Sequence, residues 1–175
     1  MDIGRAFIEQ SRQLLTDSYL PRIEQAVNGL PANQVWWRAN PQSNSIGNLI
    51  LHLDGNVRQW IISGLGGAPD TRERQREFET DGGLDANDLL LTLHTTVVRG
   101  GEVLGGIDRA ELLAPRRIQS YDVTVLSAVF AVVEHFSMHT GQILLLAKMW
   151  KGDLALYDYS KGQPRPQWRG GVVGH

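Results

Sequence analysis

Apolar residues recur at intervals of three and four along most of the chain, a spacing that predicts helices, and no segment shows the sustained alternation typical of a strand. Four helices are predicted, over about residues 3–28, 44–66, 87–106 and 123–150. We expect Pro21 to kink the first helix and Gly29 to end it. Asn44 or Ser45 can cap the second helix. Glycines and prolines interrupt residues 151–175, where we predict an irregular tail.

The connection between the second and third helices, GAPDTRERQREFETDGGLDAN, is long and highly charged. Connections above roughly 12–15 residues are usually functional or bridge a distance, and about twenty residues can run the length of a 30 Å helix. The second and third helices can therefore be parallel neighbours. Four helices with long connections predict an all-α four-helix bundle with crossovers, and the length of 175 residues predicts a single domain, 1–175.

The composition, with 42% hydrophobic and 21% charged residues, is that of a globular protein. The 17 basic and 19 acidic residues provide no basic excess, which disfavours nucleic-acid binding. The chain contains no cysteine, and histidine and carboxylates are therefore the only strong metal ligands. The N-terminal segment is unlike a secretory signal, and no run approaches the ~18 apolar residues of a membrane span. We therefore expect a cytoplasmic protein without a membrane partner.

The fourth helix carries a candidate ligand pair, His135 and His139. Residues four apart are neighbours on a helix surface, so both imidazoles can approach one ion. His139 shares its face with Phe136 and Ile143 and is expected to point inward. A histidine on an apolar face is more often a core residue bonded to a backbone carbonyl, and this spacing also arises by chance. Two adjacent inward imidazoles both need partners, however, and one metal ion would satisfy both.

The second helix supplies a third candidate ligand, His52, within a stripe that is polar but uncharged. The other members of this stripe are Ser45, Asn48, Asn56 and Gln59. A solvated face more often carries Lys, Glu or Arg. Two interpretations stay open: the stripe lines a cavity, with Asn48 and Asn56 as pocket-lining residues, or it flanks the core or an oligomer contact.

These residues resemble the DinB-like, damage-inducible superfamily of bacterial four-helix bundles, which includes thiol-dependent transferases. The resemblance covers most of the chain and rests on SNSIGNLILHLDGNVRQWI, EHFSMHTGQI and YLPRIEQAVNGL, together with the charged RERQREFETDGG connection. It implies that His52, His135 and His139 bind a divalent ion, zinc or nickel, at one end of an up-down-down-up bundle. It also implies a homodimer, since many members of the superfamily are dimers.

Three neutral imidazoles would leave the ion its full charge and an open coordination position. Such an ion can lower the pKa of bound water towards ~7, or that of a bound thiol. Two reaction classes follow: hydrolysis, or S-transfer and isomerisation with a low-molecular-weight thiol of the kind used by the family's bacillithiol and mycothiol enzymes. The expected partner is accordingly a small-molecule substrate or thiol.

Phe136, Glu134 and Gln142 lie near the candidate ligands, and His94 and His175 are the remaining histidines. Phe136 occupies the place that an H-E-x-x-H peptidase gives to its glutamate, so that class is excluded. Glu134 is interpreted as a solvated surface charge, and no general base is assigned. Gln142 lies on the ligand side of the fourth helix and can orient an imidazole or line the pocket. His94 has no paired ligand nearby, and His175 ends the glycine-rich tail, so neither is a candidate.

The leading hypothesis is therefore a metal-dependent enzyme of the DinB-like class, a thiol-dependent transferase or isomerase, or a hydrolase. The alternative is a non-catalytic metal-binding protein, associated with stress or with protein interactions, in which the ion ties the second helix to the fourth. A third interpretation has no physiological metal, only buried histidines in a helical bundle.

Overall fold

A computed structural model describes residues 2–158 and 167–168 of the chain. The described elements, in chain order, are α1 (Ile3–Gln13), a first π-helical segment (Leu14–Tyr19), α2 (Leu20–Val27), α3 (Ala32–Val35), α4 (Ile46–Val57), a second π-helical segment (Arg58–Ser63), α5 (Arg74–Glu79), α6 (Ala86–Gly106), a 3-10 turn (Arg109–Glu111), β1 (Pro115–Ile118), β2 (Tyr121–Thr124), α7 (Val125–Lys151), β3 (Tyr157–Asp158) and β4 (Gln167–Trp168).

Four long helices form a bundle, as the sequence predicted. The first bundle helix comprises α1, the first π-helical segment and α2; the second comprises α4 and the second π-helical segment; α6 and α7 are the third and fourth. Pro21 does not break the first helix. The π-helical segment directly before α2 accommodates the residue that cannot donate a backbone hydrogen bond.

Contacts along the second and third helices show that they are parallel neighbours. Gly100 packs against Val57, and three residues further along α6 Val103 packs against Gly66. Both helices therefore run in the same direction. The long connection between these helices makes this possible, because it returns the chain to the starting end of the bundle.

The first and fourth helices are likewise parallel. Tyr19 stacks on Phe136 in the middle of the bundle, and Lys151 at the end of α7 donates to the carbonyl oxygen of Asn28 at the end of α2. The second helix runs against the fourth, since Trp60 near its end stacks on Tyr121, which precedes α7. The order is therefore up-down-down-up, and the predicted all-α bundle is confirmed.

The core lies along the bundle axis and is aliphatic. Each long helix contributes a buried stripe with helical spacing, and the largest buried side chains are Ile8, Leu15, Ile23, Ile46, Leu49, Ile50, Leu53, Ile61, Leu89, Leu93, Leu104 and Phe136. At roughly 1.5–3 kcal/mol per buried side chain, this stripe-to-stripe packing is the main stabilising interaction. It also sets the rotation of α4 and α7, and with it the direction of the polar residues between the apolar ones.

The expectation that the chain contains no strand is wrong in two short places. β1 pairs antiparallel with β2 through a two-residue turn at Gln119 and Ser120, both with positive φ. Such turns usually carry Asn-Gly or Asp-Gly, and neither is present here. In the predicted irregular tail, α7 continues to Lys151 and β3 pairs with β4. Residues 159–166 and 169–175, with His175, lie outside the described residues.

Candidate metal centre

Three histidines come together where α4 packs against α7. His52 projects from α4, and His135 and His139 project from α7. Their candidate ligand nitrogens all lie within 4.8 Å of one another, and the Nε2 atoms of His52 and His135 are 2.9 Å apart. His52 and His139 are 5% and 9% exposed, and His135 is half-buried. This group could hold a metal ion, since the separation suits three imidazoles on one ion.

Glu77 of α5 binds the far side of the His52 ring. His52 Nδ1 donates to Glu77 Oε2 at 2.8 Å, which leaves the lone pair of Nε2 facing the other histidines. Arg72 donates to the same carboxylate from Nε at 2.6 Å and from Nη2 at 2.8 Å. Arg72 Nη2 also lies 3.2 Å from His52 Nδ1, but both atoms are donors, so the carboxylate contacts carry the bonding.

The pair formed by Arg72 and Glu77 is buried, with 3% and 9% of the two side chains exposed. Burial raises the pKa of the Glu77 carboxyl, but the hydrogen bonds from Arg72 and His52 outweigh it and bring the pKa below its usual value. Glu77 is therefore ionised at neutral pH and compensated by Arg72. An ionised acceptor holds His52 in one tautomer and one ring orientation.

Asn48 holds this acidic segment against α4. Its amide Nδ2 donates to the carbonyl oxygens of Glu77 at 2.9 Å and Thr80 at 2.7 Å. Its Oδ1 accepts from the backbone N and the hydroxyl of Ser45, in a capping box that begins α4. Asn48, a predicted pocket-lining residue, is fully buried. The two ends of its amide join the start of α4 to the connection that contains α5.

Further contacts fix α5 on the histidine group. Arg38 donates to the carbonyl oxygens of Phe78 and Thr80. The Phe78 ring lies 4.8 Å from the His52 ring and excludes water from that side. Gly55 permits the close approach, because a Cβ atom there would collide with Glu77 Oε1 and lie 2.8 Å from Arg72 Nε.

The two histidines of α7 are neutral at physiological pH. Burial lowers the pKa of His135 to about 4, and repulsion from His139, His52 and Arg72 adds to this. Burial also lowers the pKa of His139, although its hydrogen bond with Gln142 opposes the shift. Neutral imidazoles are the form that binds metals, so the cluster is prepared for an ion without prior loss of protons.

Gln142 lies one helical turn after His139, and its Oε1 accepts from His139 Nδ1 at 2.7 Å. The hydrogen bond directs His139 Nε2 towards the other two rings. Asn56 is half-buried, and its Oδ1 has no hydrogen-bond partner within the described part of the chain. Glu134 is exposed, and His94 pairs with Glu24 on the surface, away from the cluster.

A cavity of about 420 Å³ adjoins the ionic network. Arg72 and Glu77 line it, together with Asp54, Arg58 and Arg76, whereas none of the three histidines does. The buried ion pair therefore lies between this cavity and His52.

Comparison with known proteins identifies the family to which the chain belongs. A family model described as "Protein of unknown function (DUF1572)" matches residues 2–156. The chain belongs to this family. DUF1572 is a DinB-like family, which confirms the resemblance found in the sequence. No curated protein matches the chain.

Two solved structures share the fold of this DUF1572 protein. A conserved protein from Enterococcus faecalis is 15% identical, with a TM-score of 0.66, over 87% of this chain and 99% of that one. A DinB-like protein from Bacillus cereus is also 15% identical, with a TM-score of 0.64, over 83% of this chain and 91% of that one. At these identities the likeness concerns the fold alone.

Sequence reasoning missed Glu77 and Arg72 in this DUF1572 chain. Both lie in the charged connection, where acidic and basic residues alternate without a period that would single out one. The length of the connection was the available signal, because long connections in compact domains are often functional. Which carboxylate reaches His52 depends on how α5 packs across α4.

Proposed function

We propose that this DUF1572 protein binds one divalent metal ion through His52, His135 and His139 and acts as a metal-dependent enzyme on small molecules. The proposal is carried by one observation: three candidate ligand atoms from two helices lie within 4.8 Å of one another. The orientation of His52 by Glu77 and of His139 by Gln142 supports it. Metal-binding histidines almost always donate their second ring N–H to such an oxygen acceptor.

The set of donors suits zinc or nickel. Three neutral imidazoles without a thiolate are ligands that zinc, nickel, copper and iron accept. When bound, the ion would supply a Lewis acid that lowers the pKa of water or a thiol in an open position. The residues around it orient the rings and exclude water on the Phe78 side, and Glu77 neutralises Arg72, not the ion.

Within this proposal, thiol chemistry is favoured over hydrolysis. Hydrolases of this kind commonly use a carboxylate as general base beside the metal. Glu77 has both oxygens engaged by Arg72 and His52, and Glu134 is exposed. A low-molecular-weight thiol needs only ionisation to become a nucleophile, so S-transfer or isomerisation places fewer demands on the described residues.

The first test is elemental analysis of native, untagged protein beside His52→Ala, His135→Ala and His139→Ala. We expect about one ion per chain in the native protein and loss of the ion in each variant with helicity retained. His94→Ala is the matched control, since His94 is an exposed histidine outside the cluster, and it should keep the ion. A native protein that neither contains nor takes up zinc, nickel or cobalt contradicts the proposal.

Cobalt substitution tests the proposal that the open coordination position accepts a thiol. Metal-free protein is loaded with Co²⁺, and 2-mercaptoethanol or glutathione is added. A new thiolate-to-cobalt charge-transfer absorption, absent in His139→Ala, supports an open position that accepts a thiol. If the spectrum is unchanged by thiols but responds to azide, small anions reach the ion and hydrolysis becomes the better proposal.

A non-catalytic role is the second candidate, because the ligands belong to different helices and a bound ion would tie α4 to α7. In that case cobalt protein would respond to neither thiol nor azide, while metal would still raise the melting temperature. Spectroscopy and stability together thus distinguish an open centre from a closed one.

A further inference from the structure

Three arginines occupy alternate positions of the charged connection, and two of them are bound to carboxylates. Arg72 contacts Glu77 at 2.6 Å, and Arg76 contacts Glu73 at 2.7 Å. Arg74 lies between these two in the sequence and is exposed, and its side chain has no ion pair or hydrogen bond among the described residues. It therefore carries a positive charge that no described carboxylate neutralises.

An aromatic ring holds the Arg74 side chain beside the histidine group. Its guanidinium carbon Cζ lies 5.0 Å from the centre of the Phe78 ring. The centre of that ring lies 4.8 Å from the centre of the His52 ring. The guanidinium is therefore within about 10 Å of His52. A cation over an aromatic face is attracted by the ring itself, so the N–H groups of the guanidinium stay free to bind a ligand.

The charge of Arg74 acts on the most exposed side of the cluster. His135 is half-buried, whereas His52 and His139 are 5% and 9% exposed. Burial is the main cause of the lowered pKa of His135, and repulsion from the Arg74 charge adds to it. Arg74 has no such effect on the pKa of His139. A molecule that reaches the cluster from solvent at His135 therefore enters the positive field of Arg74.

The chemistry of this arginine favours an anionic ligand group. Two parallel N–H groups of a guanidinium match the two oxygens of a carboxylate. Phosphate groups are usually bound by several donors at once, and Arg74 is a single side chain. The acidic residue next to His135, Glu134, is exposed and does not pair with Arg74. The site thus provides one bidentate position for one carboxylate.

We propose that Arg74 binds the carboxylate of a small anionic substrate whose other end occupies the open position of the metal. This inference rests on the proposed function and adds a specificity residue to it. The short distance from the guanidinium to the cluster restricts the substrate to a short molecule, with the anionic group a few bonds away from the atom that meets the ion.

Two ligands of nearly equal shape test this assignment: 3-mercaptopropionate and its neutral amide, 3-mercaptopropionamide. Each is titrated into protein loaded with Co²⁺, and the thiolate-to-cobalt absorption gives the dissociation constant. Wild type should prefer the anion. Arg74→Gln should reduce that preference about fivefold, the effect of one exposed arginine–carboxylate pair. Arg74→Lys should keep part of the preference, because lysine retains the charge but not the bidentate geometry.

Arg76→Gln is the matched control, since it removes the same charge from another exposed position of α5. It should show the wild-type preference. Arg74→Gln should also retain its cobalt and its helicity, which distinguishes the loss of a ligand contact from damage to the site. If Arg74→Gln prefers the anion as strongly as wild type, or if Arg76→Gln loses the preference equally, the assignment is overturned.

Metal-free protein provides a test of Arg74 that does not depend on the ion. In ¹H–¹⁵N spectra of arginine side chains, propionate should shift the Nε–H signal that Arg74→Gln removes, and propionamide should not. If the protein takes up no cobalt, the proposed function fails; if cobalt protein binds neither thiol, only the thiol preference fails. In both cases the spectra decide, and an Arg74 signal that moves no further than that of Arg76 overturns the inference.

Discussion

The rings of His52 and His139 each donate a hydrogen bond from Nδ1 to an oxygen acceptor on the side away from the cluster. The acceptor is Glu77 for His52 and Gln142 for His139. This leaves one nitrogen of each ring free to face the cluster. His135 has no such acceptor among the described contacts, and its Nε2 lies against His52 instead. The three residues therefore differ in how firmly they are oriented, and substitutions behind them should affect metal affinity to different degrees.

Glu77→Gln should reduce metal affinity by about 10–100-fold, the usual effect of removing such a hydrogen-bond partner. Glutamine keeps the size of the side chain but is a weaker, uncharged acceptor for His52 Nδ1. It also leaves the buried Arg72 without its counter-ion, which should cost about 3 kcal/mol of folding free energy. Competition with a zinc chelator measures the affinity, and circular dichroism confirms the fold.

The control for this variant is Glu79→Gln, which removes the same charge from an exposed position of the same helix. Its affinity should equal that of wild type. Equal affinities for Glu77→Gln and wild type would show that Glu77 serves only to pair with Arg72.

Gly55→Ala tests the close approach of α4 to the ion pair. Alanine normally stabilises a helix interior by up to ~1 kcal/mol relative to glycine, but here its Cβ collides with Glu77 and Arg72. We expect a net loss of about 1–3 kcal/mol in the free energy of unfolding, together with weaker metal binding. Urea denaturation gives the first quantity.

Gly105→Ala is the comparison, because its new Cβ would meet nothing within 4 Å. It should leave stability unchanged or raise it slightly. If both alanine variants are equally stable, the ion pair moves away at no cost and does not hold His52 in place.

Among the elements that the sequence pattern did not predict, α5 has the largest effect on the site. It has six residues and would be unstable alone. The side chains of Asn48 and Arg38 donate hydrogen bonds to its backbone carbonyl oxygens, and the Phe78 ring lies against His52; these contacts hold α5 on α4. The long connection thus places the Glu77 carboxylate against the His52 ring.

Asn48→Ala should release this element. The variant loses the capping contact with Ser45 and two hydrogen bonds to the α5 segment, for about 2–4 kcal/mol in total. Hydrogen exchange of residues 74–80 should become faster than in wild type. Asn87→Ala, an exposed asparagine in the first turn of α6, should show no such change. Unchanged protection in Asn48→Ala would mean that other contacts suffice to hold α5.

At the scale of the whole molecule, the candidate ligands join two antiparallel helices, so metal binding and folding should be coupled. A ligand that binds only the folded state at a hundred times its Kd adds about 2.7 kcal/mol of stability. For a chain of this size that raises the Tm by roughly 5–10 °C. Differential scanning fluorimetry with zinc, and then with a chelator, measures this shift.

The His139→Ala variant should show little or no zinc-dependent shift, and His94→Ala should show the full one. A shift of equal size in His139→Ala would place the binding site elsewhere in the protein.

Helix periodicity in the sequence was sufficient for the fold class, the four long helices and the candidate pair on the fourth helix, whereas the three-histidine set with His52 was implied by the family resemblance. Apolar spacing reports which side of a helix is buried, and this directs His139 inward and places His135 beside it. The length of one connection indicated the parallel second and third helices. The two-residue turn at Gln119 and Ser120 was missed because its residues lack the usual signature.

The surroundings of the histidines depended on contacts between residues far apart in the chain. The sequence does not show that Glu77, 25 residues after His52, is the carboxylate that binds it, because α5 reaches the histidine only after α4 and the connection have packed. Local patterns determine which residues are buried, whereas long-range packing determines which buried residues meet.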